Sequence, residues 1–187
     1  MESPRASGHD GPVPQPWHAI QDIDIVRIVA DHRCLANLCN LLERCADELP
    51  RLPPEPTAAR LCEALTALTE PVENECPAYP ALTEIYDPGD PFAAALMEEL
   101  RIRYATDAMH AQDLADALRA APGMADRISA DTLGYMMRCF FNACRQAMDC
   151  EELAILALAG HRLTRAARQA LLDSLRFRAA DPRPCPA

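Results

Sequence analysis

Cys139 to Thr164 reads "CFFNACRQAMDCEELAILALAGHRLT". Its reading decides the fold. Apolar residues recur at Leu133, Met137, Phe140, Cys144, Ala147, Ile155 and Leu158, in steps of three and four. That is the period of a helix with one face in a core. Glu151 falls in the same stripe and Glu152 follows it. A carboxylate on a buried face is costly unless something pairs with it. The question is what Glu151 faces.

The same period recurs upstream. A first helix is expected over about Ile20–Leu49, with the stripe Ile25, Ile28, His32, Leu35, Cys39, Leu42 and Cys45. Pro50, Pro53, Pro54 and Pro56 end it. A second begins at Thr57, read as its N-cap, and carries Leu61, Leu65, Leu68, Val72, Glu75, Tyr79 and Leu82. Pro71, Pro77 and Pro80 predict a distortion after Thr69 and a helical turn around Glu75. A third starts at Asp90 as N-cap with Pro91 at the first helical position, and runs to about Ala121. His110, Leu114, Ala117 and Ala121 form its later stripe. The fourth covers about Ala130–Leu158, and a short fifth, capped by Thr164, runs to about Phe177. The expected architecture is all-α, an antiparallel up-down four-helix bundle with a short C-terminal fifth helix. Residues 1–17 and 181–187 are read as disordered tails around a bundle domain at 18–180.

Composition agrees. Hydrophobic residues make up 50% and aromatics 5%, with Ala and Leu dominant, which favours helix over strand. The net charge of −10 excludes a general nucleic-acid binder. The 18 basic residues are all Arg, a coding bias rather than a binding feature. No run approaches the ~18 apolar residues of a membrane span. The polar, Pro/Gly-rich opening has no apolar signal core, so the nine cysteines are expected as reduced, small side chains in a cytoplasmic protein. No nucleophile constellation, phosphate loop or dinucleotide motif is present, and no enzymatic activity is expected. Nothing in the sequence names a protein partner.

Each long helix thus carries one polar residue in its apolar stripe: His32, Glu75, His110 and Glu151. Imidazole and carboxylate together suit a divalent metal ion such as iron, manganese or zinc. His–Glu pairs without metal would satisfy the same groups.

At this point the chain resembles the hemerythrin-like, HHE cation-binding family. "VADHRCLANLCNLLERCADEL" (Val29–Leu49) resembles its first helix, where an acidic–His pair precedes a Leu-rich run. "ENECPAYPAL" (Glu73–Leu82) resembles the segment around the metal-binding Glu of the second. "DAMHAQDLADALRAA" (Asp107–Ala121) and "QAMDCEELAILALAGHRLT" (Gln146–Thr164) resemble the third and fourth. The resemblance spans about residues 20–178. It implies a four-helix bundle around a non-haem di-iron site, and roles in oxygen, iron or nitric-oxide sensing. It places ligands at His32, Glu75, His110 and Glu151. It would also place histidines where this chain has Pro71 and Ala147, and neither can bind metal through its side chain. The expected cofactor is therefore iron in a mononuclear or weakly held form, or no metal at all. The resulting readings are a reduced-site sensor, a metal-free helical interaction module, or a thiol-based sensor. An acidic neighbourhood argues against a reactive thiolate at Cys150.

Overall fold

The computed structural model describes residues 22–69, 90–120 and 128–180, with side chains from Ile25 onward. The described residues form an all-α structure of five helices: α1 (Asp22–Asp47), α2 (Glu55–Ala67), α3 (Pro91–Ala120), α4 (Ala130–Ala159) and α5 (Arg165–Ala179). No helix is long and apolar enough to cross a membrane among them.

The helix starts show how local chemistry sets boundaries. Asp90 caps α3, its carboxylate accepting the Phe92 N–H at 2.9 Å, with Pro91 at the first helical position. Ser129 caps α4 by accepting from Thr132 N, and Thr164 caps α5 by accepting from Ala167 N. Each satisfies an N–H that the helix itself leaves unpaired. The expected cap of α2 moves. Thr57 lies inside the first turn, and Pro54 is the N-cap, without a side-chain bond. Pro56 fits there because first-turn residues need no N–H partner and its fixed φ is helical.

α1 and α4 are antiparallel. His32 meets Glu151, Glu43 meets Arg145 and Asp47 meets Arg138, so one numbering rises as the other falls. The early part of α3 packs with the late part of α4, and the reverse holds at the other end. α2 behaves differently. Cys62 Sγ donates to the Ala115 carbonyl at 3.6 Å, and Arg119 donates to Thr66 Oγ1 at 2.5 Å. Both numberings advance together, so α2 does not run antiparallel to α3 where they touch. Val72, Glu75, Tyr79 and Leu82, and the question of continuity through Pro71, Pro77 and Pro80, lie outside the described residues.

The apolar interior falls into two clusters. One joins Cys39, Leu42 and Cys45 of α1 to Leu61 and Leu65, Ala111–Leu118 and Leu133–Cys144. The other joins Ile25 and Ile28 to Met97, Leu100, Ala154, Ile155 and the α5 residues Ala167 and Leu171. Along α1, α3 and α4 the change of cluster comes at His32, Tyr104 and Glu151. A polar layer therefore lies between two apolar cores.

Candidate functional site: a buried His–Glu layer

His32 is the centre of that layer. It sits on the buried stripe of α1, 7% exposed. Its Nδ1 lies 2.7 Å from Glu152 Oε1 and its Nε2 lies 3.1 Å from Glu151 Oε2. Both carboxylates come from α4 and both are buried, Glu152 completely. The Tyr104 hydroxyl, from α3, donates to the same Oε2 of Glu151.

Glu152 has a second set of partners on α5. Ser174 Oγ donates to Oε1 at 2.8 Å, and Arg178 donates to Oε1 at 3.0 Å and to Oε2 at 2.7 Å. Arg178 also donates to Asp149 Oδ1 at 2.7 Å. The fully buried carboxylate is thus compensated by charge and by hydrogen bonds, as burial of an ion requires.

The electrostatics follow. Burial alone would lower the His32 pKa. The hydrogen bonds to Glu151 and Glu152 outweigh it and raise the value from 6.5 to about 9. Burial would raise the Glu152 carboxyl, but the bonds from His32, Arg178 and Ser174 hold it below the ordinary value. Without a metal, His32 is therefore an imidazolium donating from both nitrogens at neutral pH.

Of the four expected ligands, the structure brings His32 and Glu151 together. His110 is elsewhere. It lies six residues past Tyr104, about 9 Å along α3. It is half-buried, at the edge of a face centred on Ala111, Leu114, Ala115 and Leu118. Its Nδ1 is buried with no hydrogen-bond partner among the described residues. Glu75 lies outside the described residues. Among the described residues no three His, Cys, Asp or Glu side chains converge to hold a metal. A di-iron ligand set therefore does not fit what is described.

The 3.1 Å between His32 Nε2 and Glu151 Oε2 is a hydrogen-bond distance. A ligating histidine normally donates its other N–H to a carboxylate, which Glu152 supplies on Nδ1.

Glu152, Tyr104, Ser174 and Arg178 were not among the expected residues. Glu152 had a visible signal, a second carboxylate beside the first. Tyr104 also had one: it continues the spacing of Met97 and Leu100 on α3. Ser174 and Arg178 had none, because their part depends on where α5 docks.

No family model matches the chain, and neither a curated protein nor a solved structure matches it.

Proposed function

We propose that this chain is a hemerythrin-like helical protein with a reduced metal centre, in which His32 and Glu151 hold one iron ion. On this reading α1, α3 and α4 are three helices of the bundle. The carrying observation is the pose of His32, with Nδ1 fixed on Glu152 and Nε2 directed at Glu151. Glu152 orients the imidazole, and α5 in turn holds Glu152 through Ser174 and Arg178. Bound iron would supply a redox-active ion able to respond to oxygen or nitric oxide, which makes sensing, rather than catalysis, the natural role. A reducing, cytoplasmic setting agrees with the free thiols of Cys34, Cys39, Cys45, Cys62, Cys139, Cys144 and Cys150.

The test is iron binding to the metal-free protein by equilibrium dialysis. One ion per chain is expected, and His32→Gln should abolish it. Glu152→Gln should weaken it about 10–100-fold, the usual cost of losing the group that orients a ligand. Iron that binds equally well to the wild type and to His32→Gln would contradict the site.

A second reading is a metal-free helical interaction module. It is favoured by one observation: the two glutamates hold the proton on His32 well into the alkaline range, so the layer is complete as an ion network. No bound iron, with stability unaffected by chelator, would select it. A thiol sensor would work through Cys34 or Cys139, which are exposed; burial pushes the Cys45 and Cys62 thiols up, away from reactive thiolate.

A further inference from the structure

Cys39 and Cys144 are the most deeply buried thiols among the described residues, 0% and 1% exposed, and both are free. They come from different helices and they meet. α1 and α4 run antiparallel, with His32 paired to Glu151. Cys39 lies seven residues after His32, and Cys144 seven before Glu151. Two turns along, the same register therefore sets the cysteines opposite each other. Their chain neighbours hold that register: Arg145 donates to Asn40 Oδ1 and to Glu43 Oε2, both at 2.8 Å. The Cys144 thiol is hydrogen-bonded with Cys39, and that contact, with burial, pushes it far above its ordinary pKa. Cysteine is a short side chain, so thiols that touch hold the two backbones close, as a disulfide requires. The proposed iron centre uses neither residue.

We propose that Cys39 and Cys144 are a redox-active dithiol, which hydrogen peroxide converts into a disulfide tying α1 to α4. One sulfur, as thiolate, attacks an oxygen of the peroxide. The O–O bond breaks, and a sulfenic acid and a water form. The second sulfur then displaces the hydroxyl from the first, which makes the S–S bond and a second water. Two thiols and one peroxide thus give one disulfide and two waters, and two electrons pass from sulfur to oxygen. The raised thiol makes the first step slow. The second is favoured because its partner is already in contact. Unlike the exposed Cys34 and Cys139, the pair needs a reagent small enough to enter. Peroxide is small and uncharged, and the Arg145–Glu43 pair beside the thiols is partly exposed, so the way in is short. The bond closes a loop over residues 39–144, which stabilises the folded chain by constraining the unfolded one.

The experiment uses the metal-free full chain carrying Cys34→Ser and Cys139→Ser. The folded protein is treated with hydrogen peroxide, the remaining thiols are alkylated in denaturant, and the chain is cleaved after arginine for mass spectrometry. The two substitutions are needed because cleavage after Arg33, Arg44, Arg138 and Arg145 leaves each exposed cysteine on the same peptide as one of the pair. Peptides 34–44 and 139–145 should appear joined, lighter than their sum by two hydrogen atoms, and should separate on reduction. Helix content by circular dichroism should be unchanged, and the urea midpoint should rise on oxidation and return with reductant. Cys144→Ala in the same background should lose both the joined peptides and the rise. The peptide map alters neither member of the pair, so it decides the matter whether or not Cys144→Ala folds. Cys39 and Cys144 both alkylated after oxidation, or either one joined to a different cysteine, overturns the proposal.

Discussion

His32 meets two opposing demands: burial disfavours its charge, and two buried carboxylates require it. The carboxylates prevail, which makes the metal-free protein's stability depend on pH. The folded pKa of about 9 lies above the unfolded value near 6.5. The contribution is therefore complete below about pH 6.5 and is lost as pH rises through about 9. A shift of that size is worth on the order of 3 kcal/mol. Urea unfolding of the metal-free protein between pH 6 and 10 should show the decline, and His32→Gln should flatten it. An equal slope in the variant would assign the pH dependence to other groups. Glu152 acts at the other end. Its lowered pKa gives stability above the ordinary carboxyl range that is lost as pH falls through the folded value. Much of this scale was legible in the sequence. His32 and Glu151 stood out because each broke an apolar stripe, and they do meet. His110 broke one too, but a stripe read from spacing is only as good as its phase. The centre of the buried face of α3 runs through Ala111 and Leu118, so His110 falls at its edge.

At the scale of elements, helix positions were legible because proline, caps and period agreed. Asp90–Pro91 and Thr164 mark starts with chemistry as well as pattern, whereas Ser129 was read only as loop and the structure shows it as the cap of α4. Ser129→Ala should cost about 1 kcal/mol by urea unfolding, the usual value of a lost N-cap. The start of α2 was harder to read, since Pro54, Pro56 and Thr57 all suit a first turn. The role of α5 was hidden entirely. Its fully buried apolar residues are few, Ala167 and Leu171, and much of its hold comes from Arg178 and Ser174 on α4 carboxylates. Arg178→Ala should destabilise by about 3 kcal/mol, because Glu152 stays buried with one cation fewer. Hydrogen exchange should rise first across residues 165–179. Exchange that rises evenly through α1, α3 and α4 would show that α5 is not separately held.

At the scale of the whole molecule, the all-α class followed from composition and period, whereas helix direction did not. Period fixes which face is buried, and nothing in it says which way a short helix runs; the pairing of Thr66 with Arg119 had to be seen. The polar layer between two apolar cores is likewise a property of packing. It also explains why the missing ligands matter. Ala147 sits one turn before Glu151 on the same buried face, 9% exposed, where the resemblance expects an imidazole. Ala147→His together with Pro71→His should raise iron binding above that of the wild type. A folded double variant that binds no better would mean the hemerythrin-like alignment of the site is wrong. The most direct measurement is the metal content of the chain purified anaerobically from iron-supplemented cells, beside Glu151→Gln. Near-stoichiometric iron in the wild type, lost in Glu151→Gln, is the predicted result. A wild type without iron, its unfolding unchanged by chelator, would contradict the metal centre and leave His32, Glu151 and Glu152 as an ion network alone.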